Sequence, residues 1–409
     1  MKKILLLLII IICSFNQSNA CTSAVISGRA TPDGRPLLWK HRDTDFLQNS
    51  VKYFKGEKYS FIGIVNSSAK HPTEVWIGTN SAGFSIMNTQ SYNIERDVKD
   101  DDRGTANGRV LYRALATCAT VADFKHFLDT IAKPSNIEAN IGVIDAQGGA
   151  AMFEIGSYRY TYYDANDPKT APNGYIARTN FSFMGDKDKG AGYVRYLTDT
   201  NALNIASSNQ DITPEWIFSD LSRSFVNPLL GIDLRDGHYN KPEASGWFVD
   251  QDFIPRHSSA SSVVVQGVKP GENPELTTMW TVLGYPPVSV AFPVWVKGAD
   301  ELLPRLLTST SKETNTPLGE KVDRLKAKVF SYHEGNGSEK YLHWEVLYNK
   351  QGDGIMQRLA PVEKEIFHRT EPVVERWRNN NTPNLDEMKS LYHNLSTYIT
   401  EQYELQFHL

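Results

Sequence analysis

Three things are scarce in this 409-residue chain. Cysteine is the first: there are three, at positions 13, 21 and 118. A chain this long buries a large core without covalent staples, so although Cys21 and Cys118 could form one disulfide in an exported protein, none is needed. Basic excess is the second. Lys and Arg number 43 against 47 Asp and Glu, a formal charge of −4, and nothing forms the basic patch that nucleic-acid binding requires. Long apolar runs are the third. The longest, Ile4 to Cys13, is ten residues, half of what a bilayer-spanning helix needs at about 20. Catalytic signatures are missing too. No Gly-x-Ser-x-Gly elbow occurs, since Gly83-Phe84-Ser85 lacks the closing glycine. There is no His-Glu-x-x-His, no phosphate loop and no dinucleotide fingerprint. No organic cofactor and no metal is implied.

What is present begins with a leader. Lys2 and Lys3 precede the apolar run, and the polar stretch Ser14 to Asn19 leads to Ala20. This is the pattern of a secretory signal peptide over residues 1–20, with small residues at Ser18 and Ala20 before the cut. The expectation is an exported, periplasmic or secreted protein with no integral membrane segment after leader removal. Losing Lys2 and Lys3 leaves 41 basic and 47 acidic side chains, a charge of −6. Cleavage exposes Cys21 as the new amino terminus, and Cys21 then has two fates. It is acylated as a lipoprotein anchor of a binding module, with Trp76, Trp247 and Trp280 in a ligand groove, or it stays free as a nucleophile. Ser18 and Asn19 match the lipoprotein signal poorly. A free N-terminal cysteine carries its own base: the α-amino group takes the thiol proton and returns it to a leaving amine. Cys118 lies in Val110–Ile131, which reads as one helix and makes it a small core residue.

Along the chain, Cys21–Ser27 and Pro36–Lys40 read as strands around a turn at Thr31–Gly34, and Glu74–Gly78 with Phe84–Asn88 as a hairpin. Asp97, Asp100, Asp101 and Asp102 lie in a solvated acidic loop, Glu95–Gly108. Asn107 is placed to cap the next helix. Ala139–Asp145, Ala150–Ile155, Tyr158–Asp164, Tyr175–Thr179, Ser262–Gly267 and Thr278–Leu283 are strand-like. Past about residue 310 the pattern turns helical. Leu318–Phe330, Gly354–Arg378 and Leu385–Phe407 read as long helices, the second interrupted at Pro361 and Pro372. The organisation is an α+β domain over 21–310 and a helical C-terminal extension over 311–409.

Several stretches resemble the cysteine N-terminal-nucleophile hydrolases: bile-salt (choloylglycine) hydrolases, penicillin V acylases and isopenicillin N acyltransferases. Cys21-Thr22 resembles the mature start. Arg42-Asp43-Thr44-Asp45-Phe46 resembles the family's Arg-x-x-Asp-aromatic stretch. Asn80 to Asn88 resembles its Asn-x-x-Gly turn, Thr179-Asn180 its Thr–Asn pair, and Arg195-Tyr196 its Arg–aromatic pair. The resemblance covers roughly Cys21 to Val290 and implies a four-layer αββα sandwich. It implies that Cys21 attacks a linear amide, with Arg42 stabilising its thiolate and Asp45 holding its α-amine. Asn88 and Asn180 would donate to the oxyanion and Arg195 would complete the charge network, with Arg256 its rival. The implied partner is a small N-acyl amide of the bile-salt, penicillin or N-acyl amino acid type. Hydrolysis or transfer of the acyl group, and association into a homo-oligomer, stay open.

Overall fold

The structure is a computed structural model that describes residues 20–67, 73–94, 106–238, 246–250, 252–310, 314–330 and 341–409. The leader before Ala20 and the acidic run 95–105 lie outside the described residues.

The strands run β1 Cys21–Ile26, β2 Leu37–Asp43, β3 Asn49–Phe54, β4 Phe61–Asn66, β5 Ile77–Asn80 and β6 Ser85–Gln90. They continue with β7 Ala139–Ile144, β8 Ala150–Ile155, β9 Tyr160–Asp164 and β10 Tyr175–Arg178. After the two-residue β11 Val226–Asn227 and β12 Ile232–Asp233 come β13 Trp247–Val249, β14 Ser259–Gln266, β15 Thr278–Leu283, β16 Phe292–Val294 and β17 Tyr341–His343. The helices are α1 Asn107–Thr117, α2 Val121–Thr130, α3 Tyr193–Asn209, the single turn α4 Pro214–Trp216, α5 Ala299–Leu302, α6 Pro317–Val329, α7 Trp344–Leu347, α8 Ile355–Asn379 and α9 Leu385–Phe407.

Thirteen strands form two antiparallel sheets. One has the order β10-β1-β2-β14-β15-β16, the other β3-β4-β5-β6-β7-β8-β9. The period-2 alternation of a strand sorts side chains between layers. In β8, Ala150 and Met152 join the core between the sheets, while Ala151 and Phe153 join the core under α1 and α2. Gly142 shows how closely the sheets approach: a β-carbon there would lie 2.4 Å from Met87 Cε and 2.7 Å from Val25 Cγ2. Strands β1, β2 and β15 are buried along their whole length, as strands covered on both faces must be. Helix α3 packs on β1 and β10, α6 on β15, and α8 reaches β15 through Phe367 on Trp280. The result is the four-layer αββα sandwich that the family resemblance implied.

Three local expectations differ. The helix read across 110–131 is two helices. Thr120 accepts from Asp123 N and Asp123 caps back, so a new helix starts where the first ends at Cys118, which is still buried. Asn107 does not cap α1; its amide bonds both backbone groups of Glu138 instead, tying the helix start to the chain before β7. Helix α8 runs unbroken through Pro361 and Pro372, both on its exposed side. Its buried stripe of Leu359, Val362, Ile366, Val374 and Trp377 offsets the lost hydrogen bonds.

The change of pattern near residue 310 is not a gap in the core. Residues from α6 to α9 share one buried cluster with β1, β2, β14 and β15. Trp280 of β15 stacks on Phe367 of α8 at 4.2 Å, Trp295 meets Trp377 edge-on at 5.0 Å, and Tyr403 of α9 donates to Val288 O at 3.0 Å.

Candidate active site

Strand β2 carries four consecutive ionisable residues, Lys40-His41-Arg42-Asp43, after the apolar Leu37-Leu38-Trp39. Alternation sends Lys40 and Arg42 toward the second sheet, and His41 and Asp43 toward the outer helices. Cys21 pairs directly with Arg42 across β1 and β2, so its side chain shares the Arg42 face.

On that inner face, Lys40 Nζ donates to Asn88 O at 2.5 Å, to Asn88 Oδ1 at 2.8 Å and to Trp76 O at 3.1 Å. Arg42 donates to Asn49 Oδ1 at 2.8 Å and Asn66 Oδ1 at 2.9 Å, and its guanidinium lies 4.7 Å from the Trp76 ring centre. Burial pushes Lys40 down to about 8 and Arg42 down to about 10, with Cys21 pulling both back up.

The outer face holds a chain of polar groups. Ser259 Oγ donates to Asp43 Oδ1 at 2.6 Å and lies 2.8 Å from His41 Nε2; His41 Nδ1 is 3.3 Å from Ser222 Oγ. Arg256 Nη2 donates to Asp43 Oδ2 at 2.5 Å. Ser259 reaches Asp43 because β14 bulges against β2: Ser259 pairs with Asp43, yet Ser261 already pairs with Arg42. Burial holds the His41 imidazole down to about 4, so it is neutral at pH 7.

Cys21 itself is buried. Its N–H donates to Asn180 Oδ1 at 2.9 Å, and the preceding carbonyl, Ala20 O, accepts from Arg256 Nη2 at 3.4 Å. Cys21 O accepts from Arg195 Nη1 at 2.8 Å, and Arg195 also binds Thr22 Oγ1 at 2.9 Å and Asn180 Oδ1 at 3.0 Å. The loop carrying Asn180 is fixed by Asn140, which bonds Thr179 O and Phe181 O at 3.1 and 3.0 Å. Gly192 just before α3 is required for Arg195: it has φ +82°, and a β-carbon there would lie 2.3 Å from Arg195 Nη2.

Of the residues named from the sequence, Cys21, Asn180 and Arg195 are joined by hydrogen bonds, Arg42 is paired with Cys21 across the strands, and Asn88 is tied to Lys40 on the same inner face. Asp45 does not join them. It is exposed, because β2 ends at Asp43 and the chain has turned away. The buried carboxylate tied to this end of β1 is Asp43, which shares Arg256 Nη2 with Ala20 O. Asn180 also differs from its expected part as an oxyanion donor: its carbonyl oxygen serves the Cys21 nitrogen, and its Nδ2 donates to Gln90 O at 2.8 Å. Arg195 and Arg256 are both present, one on the Cys21 carbonyl and one on Asp43. Sequence reading missed Lys40, His41, Asp43 and Ser259. The available signal was four ionisable residues in a row on a strand that begins fully apolar.

Both described cysteines are free thiols. Among the described residues no helix is long and apolar enough to cross a membrane, and no His, Cys, Asp and Glu cluster could hold a metal ion.

No family model matches this chain, and no curated protein matches it. Similar solved structures are found. A variant of conjugated bile acid hydrolase from Clostridium perfringens aligns at TM-score 0.42 and 12% identity, over 68% of this chain and 93% of that one. Penicillin V acylase from Agrobacterium tumefaciens aligns at TM-score 0.36 and 10% identity, over 68% and 86%. A Caenorhabditis elegans orthologue of N-acylethanolamine-hydrolyzing acid amidase aligns at TM-score 0.36 and 14% identity, over 60% and 92%.

Proposed function

We propose that the chain is an exported cysteine N-terminal-nucleophile hydrolase that cleaves linear amide bonds through an acyl-cysteine on Cys21. One observation carries the reading. The Ala20–Cys21 peptide unit, where leader removal is expected, lies buried with its N–H on Asn180 and its carbonyl on Arg256. A site assembled around that nitrogen suits an amine released there. Once released, the α-amine has Asn180 Oδ1 as its acceptor, and the Asp43 carboxylate lies one residue away across Arg256.

The chemistry follows from these groups. The α-amine takes the Cys21 proton, and the sulfur attacks the carbonyl carbon of an N-acyl amide. Lys40 and Arg42, on the face the thiol shares, favour the thiolate and the oxyanion by their charge. Lys40 occupies Asn88 Oδ1, so the Asn88 Nδ2 end is the one that donates to the oxyanion. The C–N bond breaks, the α-ammonium gives its proton to the leaving amine, and an acyl-cysteine remains. Water, deprotonated by the α-amine, then cleaves the thioester and regenerates the thiol.

The test is an N-acyl amide panel of bile-salt conjugates, phenoxyacetyl β-lactams, acyl homoserine lactones and acyl amino acids, run on the mature protein and on Cys21→Ala. Turnover is expected for the first and absent from the second. Equal turnover in both sinks the mechanism, as does a diacylglycerol adduct on Cys21 in the intact mass.

A further inference from the structure

The helical region beyond residue 310 reaches the turn beside the site through Lys326. Lys326, in the last turn of α6, is buried, and its Nζ donates to the His257 carbonyl. The His257 N–H donates to Asp250 Oδ2 at 2.5 Å. His257 is thus held at both its backbone groups, and it directly follows Arg256, the residue on Asp43 and on Ala20 O. The rest of that turn is closed by Arg256 N to Ser259 Oγ at 2.9 Å and Ser259 N to Arg256 O at 2.8 Å.

Lys326 is not needed to dock its helix. Leu318, Val322, Leu325 and Val329 of α6 are all fully buried and supply the apolar contact. A buried ammonium costs free energy that a leucine there would not. The groups around it are Asp323 on its own helix, Asp250 and Asp43, the Tyr285 ring at 5.8 Å, and His257, whose ring meets Phe330 of α6 edge-on at 4.9 Å. Burial pushes Lys326 down to about 8, which leaves it mostly charged at pH 7.

We propose that Lys326 is a positioning residue for catalysis: with Asp250 it clamps His257, and so fixes Arg256 against Asp43 beside Cys21. This rests on the reading of Cys21 as the nucleophile, and it gives the C-terminal helices a share in the site. Loosening Arg256 leaves the Asp43 charge less compensated near the thiol, which raises the pH at which the thiolate forms.

The experiment compares mature wild type with Lys326→Met, Lys326→Arg and Asp250→Ala. The readouts are the pH dependence of Cys21 alkylation by iodoacetamide, kcat and KM on the best amide of the panel, and the thermal midpoint. Lys326→Met is expected to move the alkylation midpoint up by about half a pH unit or more, and to lower kcat roughly tenfold with KM little changed. Lys326→Arg is expected to restore most of both. Asp250→Ala removes the acceptor of the His257 N–H and is expected to lower kcat as Lys326→Met does, which decides the matter if Lys326→Met does not fold. An unchanged alkylation profile and kcat in the folded variants, with only the thermal midpoint lowered, overturns the proposal. Alkylation needs no substrate. Loss of the hydrolase reading, seen as turnover by Cys21→Ala, is therefore distinguishable from loss of this one.

Discussion

Arg223 and Glu363 neutralise one another in the outer layer, whereas Lys40, Arg42 and Arg195 around Cys21 are bonded to neutral acceptors. The first pair is bidentate, at 2.6 and 2.8 Å, and joins the segment after the α4 turn to α8. Its spare valences are filled as well: Arg223 binds Pro286 O and Ser289 O, and Glu363 accepts from Ala291 N. The cations near Cys21 bind carbonyl, amide and hydroxyl oxygens, and among the described residues none of the three makes an ion pair with a carboxylate. A buried charge that holds a fold is matched within the fold. One left unmatched is available to a charge that appears during reaction, here a thiolate or an oxyanion.

The contrast is broken hardest at the matched pair. Glu363→Gln is expected to cost about 3–5 kcal/mol in urea unfolding, since it strands a buried guanidinium. Its kcat, once folded, should stay near wild type. Lys40→Met should do the reverse, with a fall in kcat of about 10²-fold or more and no loss of stability by the same urea measurement. Stability lost in step with activity in Lys40→Met would erase the distinction.

The acid limb sharpens the comparison further. Burial lowers the folded-state pKa of His41 to about 4 from its usual 6.5. Between those values the unfolded chain binds more protons than the folded one. Stability is therefore complete above pH 6.5 and lost as pH falls through about 4, by roughly 3 kcal/mol at most for this residue. His257 adds to the loss in the same direction. His41→Gln should show a shallower fall in unfolding free energy between pH 7 and 4.5 than wild type. An identical slope would mean that the imidazole is already charged in the fold. The smallest effect belongs to Asp45→Asn. At an exposed position it should change stability by under about 0.5 kcal/mol and kcat less than twofold, whereas Asp43→Asn should remove most activity.

The sites Asp43 and Asp45 also show what was legible beforehand. The Arg-x-x-Asp spacing pointed to Asp45, and spacing counts residues without knowing where a strand stops. Asn180 and Arg195 were named through the family resemblance, by their order after Cys21 and Arg42 rather than by any single short run. Their hydrogen bonds were not, since which end of an amide faces a nitrogen depends on Arg195 and Gln90 arriving from elsewhere. Ser259 and Arg256 lie more than 200 residues from Asp43 in the chain, and no local pattern links them. The unbroken α8 illustrates the same limit from the fold side: two prolines argue for a break that packing against the sheet overrides.

The sequence by itself determined the strand alternation, the long C-terminal helices, and the place of Cys21 directly after a leader-like segment, because these depend on neighbours in the chain. Only the tertiary structure decided which carboxylate is tied to the end of β1 at that cysteine and which cations surround it. Those choices depend on strand register, on a one-residue bulge in β14, and on groups brought in from α3, β6 and the Arg256 turn.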